Sequence, residues 1–181
     1  MEPVTDRRTL IVIRHAKAEP FADSDHARRL TERGLSAARD VGRHLQSVGV
    51  LPDFALVSPA ARTRETWAAV SAVTGEPAYG VSLDEAIYTG GPDVVLEALQ
   101  AAPHDARTVA YVGHNPTAAY LGHLLDDGGG EPVAMSGLLG GFPPAAVAVL
   151  EVGVPWSELA TATGRVVGYH VGGAGHPDAG G

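Results

Sequence analysis

The chain has 181 residues, of which 45% are hydrophobic and 19% charged, which suits one globular domain with a hydrophobic core and excludes a disordered chain. Its net charge of −8, from 13 basic and 21 acidic residues, excludes a general nucleic-acid binder, because such proteins need a basic face. Since it contains no cysteine, the protein cannot form disulfides, thiolate metal sites or a cysteine nucleophile.

Strand-like and helix-like patterns alternate along most of the chain. Short apolar runs rich in β-branched residues indicate buried strands, and apolar residues at three- and four-residue steps indicate helices. In chain order they predict a strand at 9–13, a helix at 31–48, a strand at 54–57, a helix at about 58–73, a loop or short strand at 81–83, a helix at about 92–101, a strand at 108–112, a helix at 117–125, and strands at 146–152 and 166–171. Ser58 and Pro59 are the predicted N-cap and first residue of the second helix. The glycine- and proline-rich stretch 126–144 is predicted to be a loop with at most a short strand.

This alternation predicts an α/β fold with a mostly parallel sheet in a single domain. We place the domain at 9–171, between a flexible N-terminal segment at 1–8 and a flexible, glycine-rich tail at 172–181. No apolar run approaches the roughly 20 residues that cross a bilayer, and no secretory signal is visible at the N-terminus. We therefore expect a cytoplasmic protein without a membrane partner.

Three of the predicted strands end in polar residues that suit one chemistry. Arg14 and His15 follow the first strand, Ser58 follows the second and precedes Arg62, and His114 follows the third. The carboxyl ends of parallel strands meet at one edge of the sheet, where ligands bind. Arginine forks match phosphate oxygens, and a positive cluster lowers the pKa of a histidine, so that a neutral imidazole can attack phosphorus. Each residue alone would more often be structural, but together they predict covalent phosphoryl transfer.

Five segments, in order, resemble the motifs of the histidine phosphatase superfamily of the Arg-His-Gly type, and most of all those of its short bacterial phosphohistidine phosphatases. The segments are Arg14-His15-Ala16, with alanine at the third position of the signature; 28–34, as Arg-x-Leu-Thr-x-x-Gly; 58–66, as Ser-Pro-x-x-Arg-x-x-x-Thr; Asp84-Glu85; and Gly113-His114-Asn115-Pro116. The resemblance covers roughly 9–152. Each motif is weak by itself, and their common order makes the resemblance specific.

The resemblance implies a three-layer sandwich of the phosphoglycerate-mutase type, without the helical insertion that caps the active site in the mutases. It implies that His15 is the phosphorylated nucleophile, that Arg14, Arg62 and His114 form the phosphate pocket, and that Glu85 is the general acid or base. It also implies catalysis without a metal or cofactor. An uncapped site favours a bulky phosphorylated substrate, such as a phosphohistidine-bearing protein.

Several assignments stay open on the sequence alone. Arg28 and Lys17 are candidate substrate-binding residues, although Lys17 is equally well explained as an ordinary exposed lysine. Glu85 has the alternative of a solvated loop carboxylate, and Phe21 stands where larger family members carry an asparagine. The predicted function is a phosphohistidine protein phosphatase. The alternatives are a phosphomonoesterase acting on a sugar phosphate or nucleotide, a non-catalytic module that binds phosphate or a phosphoprotein, and a purely structural domain.

Overall fold

A computed structural model describes residues 7–174. It contains six strands: β1 (Arg8–Arg14), β2 (Phe54–Val57), β3 (Val81–Leu83), β4 (Thr108–Gly113), β5 (Ala146–Val152) and β6 (Gly164–Val171). It also contains six α-helices: α1 (Glu32–Ser47), α2 (Ala61–Thr74), α3 (Ala86–Thr89), α4 (Pro92–Gln100), α5 (Thr117–Leu125) and α6 (Pro132–Gly140). None of the helices within the described range is both long and apolar enough to cross a bilayer.

The strands form one mixed sheet in the order β3-β2-β4-β1-β5-β6. The first four strands of the chain run parallel, whereas β5 pairs antiparallel with β1 and with β6. The central strand β1 is covered on both faces, and Leu10 through Ile13 are fully buried, which explains its unbroken apolar sequence. The predicted α/β fold with a mostly parallel sheet is confirmed.

Alternate residues of β1 face two separate cores. Leu10 and Val12 pack into the core that includes residues of α4, α5 and α6. Ile11 and Ile13 pack into the core on the other face, which includes residues of α1 and α2. Because successive side chains of a strand point to opposite faces, one strand builds both cores of a three-layer α/β/α sandwich.

Two local predictions are wrong. Helix α2 begins at Ala61 with Ala60 as its N-cap, which makes no side-chain cap hydrogen bond. The hydroxyl of the predicted cap, Ser58, lies 2.7 Å from Nε2 of His114. The stretch 126–144 contains helix α6, whose N-terminus is capped by the Glu131 carboxylate accepting from the Ala134 N–H. Its internal glycine, Gly137, lies where a Cβ atom would come within 2.3 Å of the Tyr169 ring.

The domain ends are partly described. Strand β1 already begins at Arg8, which is 1% exposed, so this residue of the predicted flexible segment 1–8 is in the sheet. At the other end, Gly172 N–H donates to the Ala145 carbonyl and Gly173 N–H donates to the Asp40 carboxylate. The remaining predictions of flexibility, at 1–6 and 175–181, lie outside the described residues.

Candidate active site

The candidate site lies at the carboxyl ends of β1, β4 and β2, which are neighbours in the sheet. Arg14 is the last residue of β1, and His15 follows it. His114 directly follows β4, and Ser58 directly follows β2. The His15 N–H donates to the carbonyl of Gly113 over 3.0 Å, which brings the ends of β1 and β4 to the same height. The structure therefore brings together the residues that were expected to converge.

His15 is held in one tautomer and in its neutral form. Its Nδ1 lies 2.8 Å from the Ala16 carbonyl oxygen, and because a carbonyl only accepts, Nδ1 carries the proton and Nε2 keeps a lone pair. Burial lowers the pKa of His15 to about 4, with smaller contributions from the positive charges of Arg62 and Arg14. The imidazole is therefore uncharged at neutral pH, as a nucleophile must be.

The ring of His114 lies 5.5 Å from the ring of His15, centroid to centroid. Its Nδ1 is 3.3 Å from Nη2 of Arg62, and its Nε2 is 2.7 Å from Oγ of Ser58. Since a guanidinium only donates, Nδ1 is the acceptor and the Nε2–H donates to Ser58. Burial, followed by the charge of Arg62, lowers the pKa of His114 to about 4. Both histidines of the site are therefore neutral.

Arg14 and Arg62 supply the positive charge of the pocket. Arg14 Nη1 donates to the Phe142 carbonyl over 3.0 Å, and Arg62 Nη1 donates to the Asp25 carbonyl over 2.8 Å. The Nε atoms of both arginines are buried and have no hydrogen-bond partner within residues 7–174. Buried donors are costly to leave unpaired. Two guanidinium groups at one edge of the sheet supply the positive charge and the paired N–H donors that suit an anion with several acceptor oxygens.

Asp25 and Tyr88 belong to the site although the sequence analysis did not identify them. The Asp25 carboxylate accepts from Arg62 Nη2 at 3.0 Å, from Arg28 Nη1 at 3.0 Å and from the Tyr88 hydroxyl at 2.6 Å. The hydrogen bond from Tyr88, followed by that from Arg62, holds the pKa of Asp25 well below its usual range. Only the spacing of Asp25 three residues before Arg28 hinted at this network, and that spacing occurs widely.

The structure also shows the contacts and exposure of Arg28, Lys17 and Phe21. Arg28 donates to the Asp25 carboxylate through Nη1 and to the Glu19 carbonyl through Nε over 2.8 Å. Its positive charge also helps to lower the pKa of His15. Lys17 is exposed, and its ammonium makes no hydrogen bond or ion pair within the described chain. Phe21 is 87% exposed, so its ring packs against little of the protein.

Glu85 lies at the protein surface beside His26, and its predicted role as general acid or base remains a prediction. Its side chain is 76% exposed, with Oε1 3.8 Å from Nε2 of His26. The ring of His26 contacts the ring of Tyr88 at 4.9 Å, and the ring of Tyr88 contacts the ring of His114 at 5.6 Å. A line of aromatic rings thus separates the Glu85 carboxylate from His15.

Comparisons with known proteins agree with this geometry. Residues 10–87 match the model of the histidine phosphatase superfamily (branch 1). The chain is 34% identical to a candidate phosphohistidine phosphatase SixA from Nakamurella multipartitia, with a TM-score of 0.80 over 96% of this chain and 98% of that one. It is 26% identical to a candidate SixA from Agrobacterium tumefaciens, with a TM-score of 0.73 over 91% and 97% of the two chains. An uncharacterized protein of Mycobacterium tuberculosis is 31% identical over 161 residues, which are 88% of this chain and 99% of that protein. The chain described here belongs to the histidine phosphatase superfamily.

Proposed function

We propose that the protein is a metal-independent phosphatase that hydrolyses phosphohistidine on a protein through a covalent phosphoryl intermediate on His15. One observation carries the proposal. In a single pocket, a neutral histidine with its Nε2 lone pair available lies beside the guanidinium groups of Arg14, which is half-buried, and Arg62, which is buried. The neutral imidazole supplies the nucleophile, and the two guanidinium groups supply positive charge and N–H donors for phosphoryl oxygens.

In the first step, Nε2 of His15 attacks phosphorus in line with the leaving group. A P–N bond to His15 forms and the P–N bond of the substrate breaks. The electron pair goes to the substrate histidine, which leaves as a neutral imidazole because its other ring nitrogen carries a proton. Arg14 and Arg62 bind the phosphoryl oxygens, because guanidinium groups stay charged and offer planar pairs of donors. His114, fixed between Ser58 and Arg62, lines the same pocket.

In the second step, a water molecule attacks the phosphorus of phospho-His15. The P–N bond breaks, its electron pair returns to Nε2, and inorganic phosphate leaves with the oxygen of the water. The Ala16 carbonyl holds the Nδ1 proton through both steps, so the ring needs no tautomer change. A fixed tautomer keeps the reacting nitrogen aimed at phosphorus.

The position of Glu85 supports phosphohistidine as the substrate class. Transfer from phosphohistidine to His15 replaces one P–N bond by another, so the leaving group needs less help from an acid than an alkoxide does. Glu85 is largely exposed and makes no hydrogen bond to Arg14, Arg62 or either pocket histidine. The similarity to two candidate phosphohistidine phosphatases, at 34% and 26% identity, supports the same class.

The test compares phosphate release from a phosphohistidine peptide and from p-nitrophenyl phosphate in metal-free buffer. We expect His15→Ala to lose activity by on the order of a thousandfold or more on both substrates. His104→Ala is the matched control and should keep full activity. The His104 side chain is 83% exposed, and within residues 7–174 its ring bonds only to the neighbouring Asp105 carboxylate. A faster rate on p-nitrophenyl phosphate than on the peptide would instead favour a small-molecule phosphomonoesterase. Tight phosphate binding with no turnover of either substrate would favour a binding module.

A further inference from the structure

A cleft with a volume of about 530 Å³ lies outside the pocket, between the loop that precedes α1 and the outer face of α2. The loop contributes His26 and Arg29 to its lining, and α2 contributes Arg64, Glu65 and Ala68. Its volume is within the range of sites that hold ligand groups. None of the catalytic steps above uses this cleft.

The cleft carries a positive charge that nothing within the described chain neutralises. Arg29 is 78% exposed, and its Nε donates to the Glu65 carboxylate over 2.6 Å. The other oxygen of Glu65 accepts from the Leu30 N–H over 2.7 Å, so this carboxylate is fully engaged. Arg64 is exposed, and its guanidinium makes no hydrogen bond or ion pair within residues 7–174. In a protein with a net charge of −8, an unpaired arginine in a cleft is a local attractor for negative groups.

The cleft lies next to the candidate active site along the chain and through its ring contacts. The His26 carbonyl accepts from the Ala61 N–H over 2.9 Å, which ties the loop to the first turn of α2, beside Arg62. The ring centroids of His15 and His114 lie 5.5 Å apart, those of His114 and Tyr88 lie 5.6 Å apart, and those of Tyr88 and His26 lie 4.9 Å apart. His26 therefore lies within about 16 Å of His15, a distance that roughly five extended residues span.

We propose that this cleft docks an acidic segment of the phosphoprotein substrate, with a carboxylate on Arg64 while the phosphorylated residue occupies the pocket at His15. The inference rests on the proposed function and adds a requirement to it, namely negative charge within about five residues of the phosphorylated histidine. A guanidinium matches a carboxylate in two parallel hydrogen bonds. Nucleic acid is the poorer occupant, because Glu65 lies in the same cleft and backbone binding needs several unpaired cations.

The experiment uses two phosphohistidine peptides of equal length, one with three glutamates and one with three glutamines beginning about five residues from the phosphorylated histidine. The full-length protein should show a kcat/KM roughly three to ten times higher for the glutamate peptide, and added salt should reduce this preference. Arg64→Glu should abolish the preference and leave the hydrolysis of p-nitrophenyl phosphate unchanged. Arg39→Glu makes the same charge change at another exposed arginine, on α1 and outside the cleft, and should keep the preference.

The outcomes separate this inference from the proposed function. Turnover of both peptides with the same ratio in the wild type and in Arg64→Glu would overturn the docking site and leave the phosphatase intact. An equal loss of preference in Arg39→Glu would also overturn it, because the effect would then be one of net charge. No turnover of either peptide or of p-nitrophenyl phosphate by the wild-type protein would overturn the proposed function itself.

Discussion

The neutral state of His15 has a consequence for stability that does not depend on any substrate. Burial lowers the pKa of His15 from 6.5 to about 4 in the folded protein, while the unfolded chain has the ordinary value near 6.5. At a pH between these two values, His15 is protonated in the unfolded chain and neutral in the folded protein. The free energy of unfolding is therefore unaffected by His15 above about pH 6.5 and falls as the pH drops towards 4. From pH 7.5 to pH 5.0, this one residue accounts for a loss of about 2 kcal/mol.

The assay is urea unfolding of the wild type, His15→Asn and His104→Asn at pH 7.5 and pH 5.0, in phosphate-free buffers of equal ionic strength. All other titrating groups contribute in each variant, so the difference between variants isolates the replaced histidine. The wild type should lose about 2 kcal/mol more than His15→Asn on acidification, and His104→Asn should behave like the wild type. An equal loss in the wild type and His15→Asn would refute the claim that the folded protein keeps His15 neutral.

Three further predictions concern the arginine network, the packing of α1 and the role of metals. Asp25→Asn should lower kcat/KM by roughly tenfold, because it removes the negative charge that binds both Arg62 and Arg28. Asp23→Asn, at an exposed position of the same loop, is the control and should have no effect. Equal rates for the two variants would contradict the prediction. Gly34→Ala should lower the free energy of unfolding by about 1–3 kcal/mol, because the added Cβ would meet the Lys17 carbonyl oxygen at 2.1 Å. The measurement is urea unfolding. Gly140→Ala, where a Cβ has open space, is the control in the same titration. EDTA should leave the rate on a phosphohistidine peptide unchanged, and a loss that added metal restores would contradict metal-independent catalysis.

The sheet and the pocket histidines were predictable because both follow from local rules. A buried parallel strand needs an unbroken apolar sequence, as in Leu10–Ile13, and parallel strands bring their carboxyl ends to one edge. Arg14, His15 and His114 each stand at such an end, so their convergence follows from the topology alone. Arg62 could be placed because it lies in the first turn of the helix that follows Ser58.

The parts that the sequence did not reveal depend on contacts between distant segments. Tyr88 and Asp25 are 63 positions apart, and neither stands at a strand end. The predicted cap Ser58 precedes the observed N-cap, Ala60, and its hydroxyl lies beside His114, which is 56 positions away in the sequence. Helix α6 was not predicted because its glycines are typical of loops. In the fold, Gly137 is required within the helix because the Tyr169 ring occupies the space where a side chain would lie.

If phosphate passes through a covalent bond to His15, the protein gains mass during turnover, so its intact mass is the measurement to make. The wild-type protein is mixed with a phosphohistidine peptide, denatured in alkali, where phosphohistidine is stable, and weighed. We expect the wild type and His104→Ala to gain the mass of one phosphoryl group, mild acid to remove it, and His15→Ala to gain nothing. A phosphoryl group that persists on His15→Ala, or turnover by the wild type without any mass gain under rapid quenching, would contradict the account.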